Sequence, residues 1–324
     1  MKAQVVHEFG GIEALRYEEV DPPECPPGFV RISVEAVGLN FPDLLIVQGL
    51  YQFRPDLPFS PGAEAAGTVL QIGDGVTEVA PGDRVMALHL AGAMAEEFVA
   101  PEHTVFKIPD ALPAEKAAGM SMTYGTSYHA LVDRARLQRD EVLLVTGASG
   151  GVGTAAIQIG KVLGARVIGA VSTDEKAAVA RSVGADDVVN YATESLRDRV
   201  NELTDRAGAD VIYDPVGGDI FLQTLRCVNW NGRILVIGFA SGTIPDAPMN
   251  LPLLKGCSIV GVFLGDFAKR EPAKNRDNFR TILSWAAEGI INPHISETYP
   301  LERAGDALAS LASRTATGKV ILTV

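Results

Sequence analysis

Glu141–Gly164 reads EVLLVTGASGGVGTAAIQIGKVLG, and this stretch predicts a buried strand, a glycine-rich turn and a helix in direct succession. Residues Glu141–Thr146 form a short apolar run, which is typical of a parallel strand covered on both faces. From Val152 onward, small and apolar residues recur at the spacing of one helix face, and Gly164 follows as a stop signal. The turn between them, Gly147–Gly153, carries four glycines.

The composition of this turn suits a pyrophosphate. Glycines let the chain turn sharply, let the phosphates approach the backbone and let the helix pack closely, while the helix N-terminus offers unpaired N–H groups. In the G-x-G-x-x-G register, Ala148 takes the first position, and Gly147 before it can still provide the tight turn. The turn could instead be only a turn, but its place between a strand and a long amphipathic helix favours dinucleotide binding. The cofactor-binding residues predicted here are Ala148, Ser149, Gly150, Gly151, Val152 and Gly153.

The end of the next strand indicates which dinucleotide binds. In dinucleotide folds this strand usually ends in Asp or Glu, which accepts hydrogen bonds from the adenosine ribose. Here it ends at Val171, and a carboxylate that would repel a 2′-phosphate is absent there. We therefore predict NADP(H), with Ser172 donating to the phosphate and Lys176 supplying positive charge. Alternatively, Lys176 is a solvated helix residue beside Asp174 and Glu175.

The composition and net charge of the chain limit the classes of protein to which it can belong. The chain has 324 residues, 47% of them hydrophobic, which is enough for two domains. A net charge of -12 argues against nucleic acid or an anionic membrane surface as partner. No apolar run approaches the roughly 18 residues of a membrane span, and the N-terminus has no signal-peptide core. The three separated cysteines fit a reducing compartment, so we expect a soluble, cytoplasmic protein.

The N-terminal part of the chain contains short strand-like runs separated by turns rich in Gly and Pro. That spacing predicts a compact, mostly antiparallel, barrel-like domain. The predicted strands are Ala3–His7, Phe29–Val37, Gly67–Ile72 and Arg84–Ala87.

After Asp140, strands alternate with helices, which implies right-handed crossovers and a doubly wound parallel sheet of six strands. The further predicted strands are Arg166–Val171, Asp187–Asn190, Val211–Asp214, Arg233–Phe239 and Ser258–Val262. The predicted helices are Asp174–Val183, Glu194–Thr204 and Asp219–Val228.

The C-terminal tail is too short to form a domain by itself, so it is predicted to return to the first one. It contains predicted helices at Asn278–Glu288 and Leu301–Ser313 and a final strand at Lys319–Val324. The domain boundary is placed near Ser121–Thr126, where alanine-rich helical sequence begins to replace the strands. We thus predict one discontinuous domain, residues 1–122 with 265–324, and a second domain, residues 123–264.

The chain resembles the medium-chain dehydrogenase/reductase family over essentially its whole length. Three segments look like the zinc-free, zeta-crystallin-type NADPH:quinone oxidoreductases: GFVRISVEAVG (Gly28–Gly38), VGLNFPDLLIVQGLYQ (Val37–Gln52) and PFSPGAEAAGTV (Pro58–Val69). The resemblance implies that the first domain is a GroES-like substrate domain and the second a Rossmann domain that binds NADP.

The positions that hold zinc in metal-dependent relatives are changed in this chain. Those relatives place cysteines where it has Asn40 and Met122, and a histidine where it has Ala63; only Glu64 remains. A catalytic zinc needs about three ligands of Cys, His or carboxylate type. The structural-zinc lobe is absent too, because Met86–Lys107 contains no cysteine. We predict that no metal is bound.

Without a metal or a tuned base, nothing removes the hydroxyl proton that alcohol oxidation requires. Reduction of a conjugated carbonyl is easier, because the nicotinamide delivers hydride directly and the product oxyanion needs only hydrogen-bond donors and a proton. The predicted function is therefore zinc-independent hydride transfer from NADPH to a quinone or an α,β-unsaturated carbonyl.

The resemblance also implies which residues surround the nicotinamide. These are Asn40, Asp43, Tyr51 and Thr126, with Gly238, Phe239 and Phe263 near the far side of the cofactor. We predict catalytic roles for Asn40, Tyr51 and Thr126, and Asn40 and Thr126 also count as cofactor-binding.

Two of these assignments, and a further one for Tyr191 at the 2′-phosphate, have structural alternatives. Tyr51 either donates to the developing oxyanion or packs as an aromatic on the Gly49–Pro61 loop. Asn40 either lines the site or holds its own loop through hydrogen bonds to the backbone. Tyr191, after the third strand of the alternating region, either lies against the 2′-phosphate or is an ordinary strand-end tyrosine.

Two other functions remain open. An enoyl-thioester reductase would use the same hydride chemistry on an acyl-CoA and would want a basic groove. The basic residues Lys269, Arg270, Lys274 and Arg276 could form one, or, beside Asp266, Glu271 and Asp277, simply a solvated loop. The third possibility is a non-catalytic NADPH-binding protein.

The last strand of the alternating region predicts a homodimer. Ser258–Phe263, SIVGVF, is apolar and is expected at the sheet edge, where an open strand is normally covered or paired. Pairing with its own copy about a two-fold axis would satisfy that edge, as the family resemblance also implies. Alternatively, the Gly265–Arg276 loop folds over it and leaves a monomer.

Overall fold

The structure, a computed structural model, describes residues 1–324 and divides into two compact units. The first unit is Met1–Met122 with Gly265–Val324, and the second is Thr123–Leu264. No helix is both long enough and apolar enough to cross a membrane.

The first unit is mostly β. Its strands, numbered along the whole chain, are β1 Lys2–Val6, β2 Leu15–Glu19, β3 Phe29–Leu39, β4 Glu64–Ile72, β5 Arg84–Leu88, β6 Glu97–Pro101, β7 Val105–Lys107, β14 Ile295–Pro300 and β15 Lys319–Thr323. Its helices are α1 Phe41–Val47, α2 Ala114–Ala118, α10 Pro272–Ala287 and α11 Ala304–Ala312. A further helix, α9 Leu264–Arg270, starts at the unit boundary.

Seven strands of this unit make one sheet in the order β14-β15-β3-β4-β5-β7, with β6 also paired to β3. The long strand β3 is its centre, because β4, β6 and β15 all pair with it antiparallel. Its first half alternates buried and partly exposed side chains, with Val30, Ile32 and Val34 in the core. This period of two is what a half-buried strand requires. Leu308 of α11 packs into the same core.

The second unit is a doubly wound sheet. Its strands are β8 Val142–Thr146, β9 Arg166–Val171, β10 Asp187–Asn190, β11 Ala209–Asp214, β12 Val228–Val236 and β13 Ser258–Gly261. Its helices are α3 Thr123–Tyr128, α4 Gly151–Val162, α5 Asp174–Ser182, α6 Leu196–Leu203, α7 Gly218–Cys227 and α8 Asn250–Lys255, with a π-helical stretch at His129–Arg134.

All neighbours in this sheet are parallel, in the order β10-β9-β8-β11-β12-β13. The order reverses between β8 and β11, which is the topological switch point of dinucleotide-binding sheets. Leu144, Ile168 and Ile212 are fully buried at its centre, as expected when helices cover both faces. The predicted fold class, a mostly β domain and a six-stranded parallel sheet, is confirmed.

Two local predictions need correction, and several strands of the first unit were not predicted. The strand predicted at Arg233–Phe239 runs from Val228 to Val236. It ends before the predicted Phe239, and it includes the Asn and Gly residues before Arg233, which usually end a strand. The loop predicted at Gly265–Arg276 is helical, formed by α9 and the start of α10. Strands β2, β6, β7 and β14 were not predicted; the sequence of β14, ISETYP, is only half apolar.

Candidate active site

The glycine-rich turn of the second unit joins the end of β8 to the start of α4. Gly147 has φ +56, a conformation that only glycine adopts readily, and it begins the turn. A Cβ atom on Gly153 would lie 2.2 Å from the Gly147 carbonyl oxygen. Glycine at both positions is therefore required by the protein itself, for the sharp turn and for close packing of the helix.

Gly150 is different, because its surroundings leave room for a side chain. Its backbone is extended, with φ -80 and ψ 172, and a Cβ there would come no closer than 3.5 Å to any protein atom outside its immediate neighbours. The open backbone lies at the N-cap of α4, where unpaired N–H groups and the helix dipole favour an anion. This local space fits the approach of a pyrophosphate.

Asp214 lies at the carboxyl end of β11, the strand that neighbours β8 at the switch point. Its buried carboxylate accepts hydrogen bonds from the Thr146 hydroxyl and from the backbone N–H groups of Val216, at 3.1 Å, and Gly217. Burial raises the pKa of Asp214. Sequence reasoning did not single out this residue, although a carboxylate that ends an apolar strand, VIYD, is a usable signal.

The residues predicted to select the cofactor gather at the carboxyl ends of β9 and β10. The Lys176 ammonium lies 3.4 Å from the Ser172 hydroxyl, and Thr173 caps α5 by accepting from the Lys176 backbone. The backbone of Tyr191 donates to the Val171 carbonyl at 3.0 Å, which places the tyrosine beside this group. The backbone N–H of Ala148 donates to the Ala170 carbonyl on β9, so the glycine-rich turn lies beside the end of β9 that carries these residues.

The remaining predicted residues of this unit follow its other strands. Gly238 and Phe239 come after β12, and the Ala240 backbone bonds to Pro215 beyond β11. Phe263 follows β13 and is 62% exposed. Thr126 is buried on α3. All of these except Thr126 thus come after the carboxyl ends of parallel strands, where ligands of such sheets bind.

In the first unit, Asn40 lies where β3 meets α1, and its side-chain amide is fully engaged. Its Nδ2 donates to the Glu64 carboxylate at 2.8 Å and to the Gly38 carbonyl at 3.2 Å. Its Oδ1 accepts from the Lys319 ammonium at 2.9 Å. The bond to Gly38 is a local side-chain to backbone contact, as expected if Asn40 holds its own loop.

Glu64 and Lys319 form a buried ion pair, with Nζ 2.6 Å from Oε1. Strand register brings them together, because Gly38 on β3 lies opposite Glu64 on β4, and β15 flanks the other edge of β3. A Cβ on Gly38 would lie 2.6 Å from the Glu64 carboxylate, so a glycine is needed there. The other carboxylate oxygen accepts from the Met122 backbone at 2.7 Å.

Asp43, in the first turn of α1, is fully buried beside this pair. Its Oδ2 accepts from the Asn40 backbone at 2.7 Å, whereas its Oδ1 has no hydrogen-bond partner. Burial is the main cause that raises the pKa of Asp43 to about 7, and the Glu64 charge also raises it. Burial and the Asp43 charge raise the pKa of Tyr51, whose hydroxyl makes no hydrogen bond within the chain.

These residues do not fit a catalytic zinc. Asn40, Ala63 and Met122 are not zinc ligands, and both oxygens of Glu64 are already used by Lys319, Asn40 and the Met122 backbone. No group of three or more His, Cys, Asp or Glu side chains in residues 1–324 is arranged to hold a metal ion.

Two family profiles match the chain: "Alcohol dehydrogenase GroES-like domain" over residues 26–110 and "Zinc-binding dehydrogenase" over residues 151–288. "Quinone oxidoreductase-like protein 2" of Mus musculus is 40% identical over 313 residues, which cover 96% of this chain and 89% of that protein. "Quinone oxidoreductase" of Homo sapiens is 33% identical, covering 99% and 97%. This chain belongs to the medium-chain dehydrogenase/reductase family, in its quinone oxidoreductase branch. It is accordingly an oxidoreductase.

Solved structures of this family share the whole fold. The crystal structure of Escherichia coli quinone oxidoreductase complexed with NADPH superimposes with a TM-score of 0.93 at 31% identity and covers 100% of both chains. The similarity therefore extends over both units. It includes the β3, β4 and β15 strands that carry the buried pair of the first unit.

Proposed function

We propose that this chain reduces a quinone or an α,β-unsaturated carbonyl by hydride transfer from NADPH, without a metal. The observation that carries the proposal is the end of β9, where Ser172 and Lys176 lie together and a ribose-binding carboxylate is missing. A hydroxyl and an ammonium suit a 2′-phosphate, whereas the glycine-rich turn suits the pyrophosphate of either dinucleotide. The NADPH bound to the Escherichia coli relative supports the same cofactor.

The second unit is the proposed cofactor domain. The N-terminus of α4 would hold the pyrophosphate, Ser172 and Lys176 the 2′-phosphate, and Tyr191 would lie against it. The other residues that we propose to hold the cofactor are Asn40, Thr126, Gly238, Phe239 and Phe263, as the family resemblance implies. When bound, NADPH supplies the hydride, and the protein contributes position and a dry environment.

The first unit supplies the proposed chemistry at the substrate. Tyr51 carries a hydroxyl with no partner in the chain, and its raised pKa keeps the proton in place, so it can donate to the oxyanion that hydride addition creates. Both amide hydrogens of Asn40 are engaged in the protein, which supports a positioning role for that residue. The engaged oxygens of Glu64 support a reaction without zinc.

The enoyl-thioester alternative gains no support from its candidate groove. Arg270 pairs with Asp266, and Arg276 pairs with Glu78, donates to the Glu102 carbonyl and packs over Phe106. These cations are already used within the chain, on helices α9 and α10 rather than on an open loop.

One assay tests these alternatives. Purified protein is incubated with NADPH and with ortho- and para-quinones, 2-alkenals or crotonyl-CoA, while cofactor absorbance is followed with and without a chelator. We expect oxidation with quinones or alkenals that the chelator leaves unchanged. Activity with crotonyl-CoA alone would assign an enoyl-thioester reductase, and NADPH binding without turnover of any acceptor would assign a binding protein. Activity lost to the chelator and restored by zinc would overturn the metal-free proposal.

We also propose a homodimer through Ser258–Phe263. In the structure β13 is the last strand of its sheet and pairs only with β12. Apolar side chains on or next to this strand are exposed, namely Ile259 at 37% and Phe263 at 62%. A cytoplasmic location is proposed from the three cysteines, none of which forms a disulfide.

A further inference from the structure

The second unit has an open cavity of about 630 Å³, lined by residues of helices α6, α7 and α8 and of the segment after α6, which we call the basic cavity. The whole chain carries a net charge of -12, so a concentration of cations around one cavity is a local exception. Pockets that bind small molecules have volumes of roughly 300 to 1,000 Å³, so this one is large enough for such a ligand. Its cationic side chains are Arg197, Arg206, Arg226 and Lys255.

The sheet topology brings three of these cations together. Arg206 precedes β11 by three residues, Arg226 precedes β12 by two, and Lys255 precedes β13 by three. These strands are parallel neighbours, so their amino ends lie side by side at one edge of the sheet, about 4.8 Å from one strand to the next. The residues proposed to hold NADPH in this unit lie instead at or after the carboxyl ends of the strands. The three cations are therefore at the opposite edge of the sheet.

Most of this positive charge is not used within the protein. The guanidinium groups of Arg206 and Arg226 make no ion pair and no hydrogen bond in the chain, and both side chains are exposed. Lys255 donates one N–H bond to the Val228 carbonyl at 2.9 Å, which leaves the other two of its ammonium group. The basic cavity thus offers charged donors that have no partner in the chain.

The two acidic side chains of the lining do not cancel this charge. Glu202 pairs with Arg199 at 2.6 Å, a residue that is not part of the lining. Asp198 lies 4.0 Å from Arg197. Each acid is therefore next to a cation of α6, and the other three cations of the cavity remain uncompensated.

Helix stability explains only part of the pattern. Arg226 and Lys255 lie in the last turns of α7 and α8, where a cation interacts favourably with the free carbonyl groups. Arg197 is the second residue of α6, and a cation in the first turn of a helix is unfavourable. Its position in the lining therefore needs another reason, and an anion in the cavity would supply one.

The lining also has an apolar part, made by Leu225 of α7 and Leu251 of α8. Leu225 is fully buried and Leu251 is partly exposed, so the cations stand beside an apolar wall. A guanidinium group binds phosphate oxygens through two parallel hydrogen bonds, which makes arginine the preferred residue for phosphate recognition. An organic phosphate matches both parts, because its charged groups suit the arginines and its carbon skeleton suits the leucines.

We propose that the basic cavity binds a small organic phosphate at a site separate from the proposed NADPH site. Arg206, Arg226 and Lys255 hold the phosphate groups. The organic part lies against Leu225 and Leu251. This inference does not depend on the proposed function, because it concerns the other edge of the sheet.

The test uses ADP and pyrophosphate as probes, because they share a diphosphate and only ADP has an organic part. Each is titrated by calorimetry into purified protein with excess NADPH, so that the glycine-rich turn is occupied. We expect ADP to bind at one site per chain, more tightly than pyrophosphate. The affinity of both probes should fall as the salt concentration rises, since the cations are exposed.

Arg206→Gln and Arg226→Gln remove the proposed charges and keep a polar side chain of similar length. Each should weaken the binding of both probes by at least about tenfold, and the double variant by more. Arg181→Gln is the matched control, because Arg181 is an exposed arginine in the last turn of α5 that is not part of the lining. Since all these side chains are exposed, we expect unchanged melting temperatures.

Several outcomes would overturn the proposal. One is that neither probe binds, and another is that Arg181→Gln weakens binding as much as the cavity variants do. A loss of ADP binding in Gly150→Ala, but not in Arg206→Gln or Arg226→Gln, would place the probe at the glycine-rich turn instead. Pyrophosphate that binds as tightly as ADP would contradict the contact with the leucines and hence the assignment of an organic phosphate.

Discussion

Lys319 is the cation that makes the buried carboxylate of Glu64 tolerable. We expect Lys319→Met to lower the free energy of unfolding by about 3 to 5 kcal/mol, because it leaves an uncompensated charge inside the protein. Adding Glu64→Gln should recover part of that loss, because it removes the charge and its one carbonyl oxygen still accepts from either Asn40 or the Met122 backbone. Denaturant unfolding of the single and double variants checks this, and equal stability of the two would contradict it.

Asp43 makes stability depend on pH in an unusual direction. Folded, it keeps its proton up to about pH 7, whereas the ordinary pKa of the group is 3.8. Between these values the folded state binds more protons than the unfolded state, so stability falls as pH rises. The contribution is on the order of 4 kcal/mol. Melting temperatures of wild type minus those of Asp43→Asn should therefore fall from about pH 4 to 7 and then level off; a constant difference would refute the protonated state.

The buried contacts among Asn40, Glu64 and Lys319 also show what cannot be read from a single sequence. Glu64 was recognised as the remainder of a zinc motif, and Asn40 as a candidate for holding its own loop. Lys319, however, is 255 residues from Glu64, and only the pairing of β15 and β4 with the same strand β3 brings them together. The available signal was a lysine that opens the apolar strand KVILT, because a charge in such a strand needs a partner.

The β8-turn-α4 connection contains glycines with different tasks, and two substitutions separate them. Gly150→Ala fits the extended backbone and the open space, so we expect an unchanged melting temperature and weaker NADPH binding. Gly153→Ala would place a Cβ 2.2 Å from the Gly147 carbonyl oxygen, so we expect loss of stability. Thermal unfolding and cofactor titration of both variants decide the point. Full NADPH affinity in Gly150→Ala would show that the phosphates lie elsewhere.

The β9-α5 connection should set the cofactor preference. Charge-assisted hydrogen bonds contribute about 1.5 to 3 kcal/mol each, which corresponds to roughly a ten- to hundredfold preference. We expect wild type to bind NADPH more tightly than NADH by that factor and Lys176→Ala to lose most of the difference. Fluorescence titration with both cofactors measures this, with Lys161→Ala, an exposed lysine paired to Asp186, as control. Equal affinities in wild type would refute the assignment.

Elements with local signals were the ones that could be predicted. Strands β8 to β11 are apolar runs bounded by polar turns, and the observed strands coincide with the predicted ones to within a residue or two. The errors fall where packing outweighs local preference. Strand β12 begins with VNWNG, although Asn and Gly favour turns; of this segment only Val228 is in register with β11, and regular pairing with β11 and β13 starts at Arg233. Helix α9 was not predicted, because its segment is rich in charged residues and was interpreted as a loop.

The assembly of the whole protein depends on the open edge of β13. Backbone direction alternates along a strand, and Val262 donates to Val236 on β12. Val260 therefore also faces β12, whereas the N–H groups of Ile259 and Gly261 face away from the sheet. Ile259 on this strand and Phe263 just after it are exposed apolar side chains that a second copy would cover.

Ile259→Pro removes an outward backbone donor at this edge, while its inward neighbours can still pair with β12. We expect wild type to sediment as a dimer at micromolar concentrations and Ile259→Pro to sediment as a folded monomer. Val260→Pro is the matched variant, because it removes an inward donor and should destabilise the unit itself rather than only the dimer. The dissociated variant should also bind more of an apolar dye through its uncovered side chains. A wild-type monomer across this range would mean that the edge pairs with nothing, and the homodimer would be wrong.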